Sequence, residues 1–190
     1  MKRTIGLSLV ACFAFAVTAS AANLKSGPQA GEAAGPFNVK KVTGNKNDNV
    51  AEGQELCYRC MLGGRPVVAI FARTPDEKLT RLMKEVDTVV GQNKDSKKMA
   101  AFVNLLGDDK AALEAAAKKI VEKSGAENIA VVIPTEQPKL LKDYKLSPDA
   151  DTTVLIYVKG KVVANHAFEA GKLDDKTITA IVEDTSKILN

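Results

Sequence analysis

Two cysteines in this chain stand three positions apart, in Cys57-Tyr58-Arg59-Cys60. That spacing lets them close a small disulfide ring or share a metal ion. A short ring can exchange with other thiols when one of its sulfurs is a good thiolate, and Arg59 supplies a cation that could stabilise one. On this reading Cys57, N-terminal in the pair and ahead of a possible helical turn, is the attacking thiol. Cys60 is the resolving thiol, Arg59 tunes the thiolate, and the partner is a protein thiol or disulfide met through a mixed disulfide. The same pair can equally staple the loop in which it lies, leaving a non-catalytic binding or scaffold module. Both readings stand on sequence alone. A zinc site usually needs four ligands, and here one cysteine pair faces a single distant histidine, His166, so no metal is expected. Covalent haem needs a histidine directly after the second cysteine, where this chain has Met61, and no cofactor is expected.

Other polar residues carry less. His166 shares a strand face with Ala164 and Phe168 and reads as a half-buried structural histidine. Asp149 and Asp151 lack the glycine and closing glutamate of a calcium loop and read as a solvated turn. Asp76 and Glu77 open a helix and suit its positive end. The net charge of +4 is modest and its signs are interspersed, which argues against nucleic-acid binding.

The elements that must position the cysteines begin just after them. Residues 66–72 form an apolar run without alternation, the pattern of a strand covered on both faces. A helix follows, with Thr74 as N-cap, Pro75 in its first turn, Glu77 completing a capping box and Gly91 as its stop. Further strands are expected at 36–43, 99–106 and 128–134. Helices are expected from an Asp108 cap to about residue 123, over 138–144, and from about Asp174. Residues 153–158 and 161–168 read as a hairpin turning at Lys159-Gly160. Strands alternating with helices, then a hairpin, imply an α/β fold: a mixed sheet flanked by helices on both faces.

Ahead of this lies an export signal at residues 1–21. Lys2 and Arg3 form its basic end, an apolar core follows, and Ala19-Ser20-Ala21 suits signal peptidase. The core is short for a membrane span. Cys12 sits in a lipoprotein-like box, but the apolar run continues past it, so lipidation is not expected. Residues 22–35, rich in Ala, Gly, Ser and Pro, read as a flexible leader, and 36–190 as one domain. The expected protein is exported, periplasmic or extracellular, and most simply bacterial.

The order of elements resembles the thioredoxin-like superfamily. VVAIFARTPDEK is similar to the strand-to-helix junction that carries the thioredoxin active site. TVLIYVKGKVVANHAF is similar to the last hairpin, and PFNVKKVTG to the leading strand of peroxiredoxin-like and periplasmic thioredoxin-like proteins. Gly64-Arg65-Pro66 matches the turn before the first buried strand. The resemblance implies a thioredoxin-like domain from about residue 36 onward. It also sharpens two departures. Where the family places its active-site cysteines, this chain has Thr74-Pro75-Asp76-Glu77-Lys78. Where most thioredoxins place a cis-proline, it has Asp151-Thr152-Thr153. The family's catalytic residues therefore do not carry over, and Cys57 and Cys60 are a displaced pair.

Overall fold

Apolar runs without polar alternation bury both faces of a strand, and three such runs build the centre of one sheet. The computed structural model describes residues 24–190. In it β3 (Val67–Ala72), β4 (Ala100–Leu105) and β5 (Ile129–Pro134) run parallel. The hairpin β6 (Thr152–Val158) and β7 (Lys161–Phe168) adds antiparallel strands beyond β3. On the other side β1 (Val39–Gly44) pairs antiparallel with β5, and the two-residue β2 (Glu55–Leu56) pairs with β1. The seven strands lie in the order β2-β1-β5-β4-β3-β6-β7.

The alternation of side chains divides the core in two. Helices α2 (Glu77–Asn93), α3 (Lys110–Ser124) and α5 (Asp175–Asp184) cover the face bearing Val68, Ile70, Val103 and Val131. The short helices α1 (Tyr58–Leu62) and α4 (Gln137–Asp143), with Phe37, cover the face bearing Ala69, Phe71, Phe102 and Val132. This is the expected α/β class, a mixed sheet with helices on both faces. Among the described residues no helix is long and apolar enough to cross a membrane.

Three local expectations need correction. The N-cap of α2 is Asp76, whose carboxylate accepts from the Leu79 N–H at 2.8 Å. Thr74 instead donates its hydroxyl to Asp151 at 2.5 Å, so Pro75 lies outside the helix. For α3 the cap is Asp109, not Asp108. The third correction concerns the leader. From residue 24 it lies against the β6–β7 hairpin. Ser26 is 1% exposed and shares a 2.7 Å hydrogen bond with Thr153. Asn165 donates to the carbonyls of Ser26 and Pro28, Ala33 bridges to Lys161, and Ala34 is buried. The small residues that signal flexibility also permit this close approach: a Cβ at Gly27 would come within 3.3 Å of Thr153. The export signal at 1–21 and the Cys12 box lie outside the described residues.

Candidate functional site

The pairing of residues 55–56 with β1 delivers the chain to Cys57 at the edge of the sheet. Cys57 has extended backbone and is the N-cap of α1, the helical turn foreseen after it. Its Sγ accepts from the Cys60 N–H at 3.0 Å. A cap satisfies a helix's first amide donors, which have no partner inside the helix. The two sulfurs are joined in a disulfide, with Cα atoms 5.2 Å apart. They differ in access: Cys57 is half-buried and Cys60 is exposed. Gly63, at φ +57°, ends α1 in a left-handed conformation that a side chain would strain.

The helix carrying the pair is tied down independently of the disulfide. Tyr58 and Leu62 are core residues, and Tyr58 stacks on Phe102 with ring centroids 5.4 Å apart. The Tyr58 hydroxyl donates to Asp48 at 2.6 Å. The other Asp48 oxygen takes Lys41 Nζ at 2.6 Å, and that ammonium also donates to the carbonyls of Asn45 and Val50. The side chains of Lys41 and Asp48 are 2% and 8% exposed, so this ion pair is interior. Every proton of the ammonium has an acceptor, which is what makes a buried charge tolerable. Burial first, and the hydrogen bond to Asp48 second, push the Tyr58 hydroxyl far above the usual tyrosine range.

On its other flank α1 is held by Arg59. Nε donates to the Ala34 carbonyl at 2.9 Å, and the guanidinium lies over Gly160. A Cβ at Gly160 would come within 2.1 Å of Nη2. The turn there has positive φ at both Lys159 and Gly160, as a tight hairpin requires. This differs from the assignment of Arg59 as a thiolate-tuning cation. Two residues beyond Cys57 on a helix, its side chain leaves on the opposite side, and its hydrogen bond goes to the N-terminal segment. Arg59 is absent from the residues that line the cavity at the sulfurs.

That cavity is a groove of about 250 Å³ between α1 and α4. Phe37, Leu140 and Tyr144 give it apolar walls, and Glu136, Lys139 and Asp143 form a charged rim. Phe37 is fixed by Tyr144, edge to face at 5.1 Å, and Tyr144 donates to the Gly35 carbonyl at 2.5 Å. None of these groove residues was singled out from sequence. The short apolar pairs Pro36-Phe37 and Leu140-Leu141 were visible there, but nothing local says that they meet.

The position where the fold's relatives carry cysteines is filled differently. Arg73 donates its backbone N–H to the Asp151 carbonyl at 2.9 Å and its Nε to the Ala150 carbonyl at 3.0 Å. Thr74 bonds the Asp151 carboxylate. The 73–74 and 150–151 segments thus lock each other, and no peptide bond among the described residues is cis. His166 lies with Asp184 at 3.1 Å, both about a fifth exposed, on the opposite face from the cysteines. No cluster of three His, Cys, Asp or Glu able to hold a metal occurs among the described residues.

No family model matches the chain, and no curated protein matches it by sequence. Solved structures do. A candidate protein disulfide isomerase from Bacteroides thetaiotaomicron superposes with a TM-score of 0.63 at 14% identity, over 87% of this chain and 94% of that one. The thioredoxin domain of a thiol-disulfide oxidoreductase from Bacteroides vulgatus gives 0.61 at 13% identity, over 86% and 99%. Yeast mitochondrial 1-Cys peroxiredoxin gives 0.56 at 14% identity, over 84% and 76%. These likenesses establish a thioredoxin-like fold across most of the chain.

Proposed function

We propose that this thioredoxin-fold protein is an exported thiol–disulfide exchange protein working through Cys57 and Cys60, outside the fold's usual active-site position. The observation that carries the proposal is the division of labour around α1. Tyr58, Arg59 and Leu62 hold the helix, while Cys60 stands exposed beside an open groove. A disulfide that is not needed to hold its helix can open without unfolding it.

Access sets the order of steps and reverses the assignment made from sequence. A substrate thiolate attacks the exposed Cys60 sulfur. The disulfide bond breaks, and its electron pair leaves on Cys57, where the Cys60 N–H receives the new thiolate. A hydrogen-bonded, stabilised thiolate is the better leaving group. A second substrate thiolate then attacks the substrate sulfur of the mixed disulfide, releasing an oxidised substrate and a Cys60 thiolate. The protein gains two electrons and the substrate pair loses two. The reverse sequence oxidises the protein, with Cys57 resolving. The partner is a protein thiol or disulfide, and the basic, apolar and small-residue segments of residues 1–21 support export to an oxidising compartment.

Trapping tests this reading. Cys57→Ser should accumulate a mixed disulfide with a cysteine peptide through Cys60, visible by mass. In Cys60→Ser, the remaining Cys57 should alkylate at least about tenfold more slowly than Cys60 does in Cys57→Ser, because only thiolates with access react. Equal, slow labelling of both would overturn the order of steps. One feature favours the staple reading: the pair closes the first turn of a helix of only five residues. On that reading Cys57→Ser loses stability and leaves every exchange activity unchanged.

A further inference from the structure

A second, larger cleft of about 870 Å³ opens at the end of the sheet where β4 and β5 begin. Helix α1 is the wall between it and the disulfide groove. Cys57 and Cys60 border the groove, while Tyr58, Met61 and Leu62 border the cleft. The volume lies within the span of small-molecule sites, about 300–1,000 Å³.

Its lining has two characters. The floor is apolar, with Val90, Met99 and Ala101 from the core. At its edge stands Met61, 41% exposed, the exposed large hydrophobic residue of the described chain. The rim is cationic. Arg65, Lys94 and Lys98 line it, and none has an ion pair among the described residues. Of the lining carboxylates, Asp48 is already neutralised by Lys41, which leaves Asp95 alone against the three cations. Lys98 has φ +58°, a left-handed conformation that glycine adopts at lower cost. The chain thus places a charge where the turn alone favours glycine.

We propose that this cleft binds a small organic anion with an apolar body: a carboxylate, sulfonate or phosphate head at the Arg65, Lys94 and Lys98 rim, and its hydrocarbon part on the Met61 and Met99 floor. An apolar surface kept open to water favours a ligand that covers it. The unpaired guanidinium and ammonium groups select a negative head and give no advantage to a neutral one. This site is independent of the exchange reaction and stands or falls without it.

The test uses 8-anilinonaphthalene-1-sulfonate, which has an aromatic body and an anionic head, and N-phenyl-1-naphthylamine, which has the same body without the head. The purified protein should bind the sulfonate saturably at one site, at least tenfold more tightly than the amine. Lys94→Glu with Lys98→Glu should weaken the sulfonate at least tenfold and leave the amine unchanged. Lys119→Glu, on α3 and away from the cleft, should change neither. Circular dichroism checks that each variant is folded, and Arg65→Gln provides the same comparison should the double variant unfold. Unsaturable binding, equal affinity for both probes, or sulfonate binding that survives the charge changes would overturn the proposal.

Discussion

At the scale of single residues, the cysteine pair was legible because its meaning lies in spacing alone. What surrounds it was not. Lys41 sits in a strand that reads as an exposed edge, yet it shares a face with Val39 and is interior. Its acceptors come from residues 45, 48 and 50, across a turn cluster that sequence leaves shapeless. Replacing Lys41 with Met would strand the Asp48 charge, and breaking a buried pair in this way costs about 3–5 kcal/mol. Tyr58→Phe, which leaves one Asp48 oxygen with a partner fewer, should cost about 1–3 kcal/mol. Urea melts of the two variants check both values. Arg59 shows the opposite error. A cation beside cysteines suggested thiolate chemistry, and the helix turned it away toward Ala34 and Gly160.

At the scale of elements, the apolar runs of β3, β4 and β5 and the Lys159-Gly160 turn were readable because local pattern and tertiary burial agree there. The caps were displaced where several candidates stood together. Thr74, Asp76 and Glu77 all favour a helix start, and the choice of Asp76 depends on Asp151 claiming the Thr74 hydroxyl. Asp76→Ala should therefore cost about 1 kcal/mol, and Thr74→Ala, which removes only an exposed contact, distinctly less in the same thermal melts. The segment at residues 24–35 was misread because small residues signal freedom in isolation and close packing beside a sheet. Gly160→Ala should disturb the segment and α1 together. The new methyl meets the Arg59 guanidinium at a left-handed position, and the strain alone costs about 1–2 kcal/mol. Protection of the Ala34 amide, which donates to the Gly160 carbonyl, should fall in hydrogen exchange.

At the scale of the whole molecule, the alternation of strands and helices carried the fold, while the site depended on contacts between distant segments: Phe37 with Tyr144, α1 with α4, residues 24–35 with the hairpin. The protein's three tyrosines, Tyr58, Tyr144 and Tyr157, are all interior, and burial raises each hydroxyl above its ordinary value. A raised folded-state value means that the neutral form is favoured in the native protein. That contribution is complete below the unfolded tyrosine value of about 10 and is lost as pH rises above it. Tyrosinate absorbance should therefore appear only together with loss of the native circular dichroism. The central claim, that the disulfide at the mouth of the α1–α4 groove exchanges, is tested most directly by its reduction potential. The protein is equilibrated in graded glutathione buffers and its free thiols are counted by mass after alkylation. The account predicts a potential between about −120 and −270 mV, the range of working exchange proteins. A disulfide still intact below about −300 mV would mark a structural staple and contradict it.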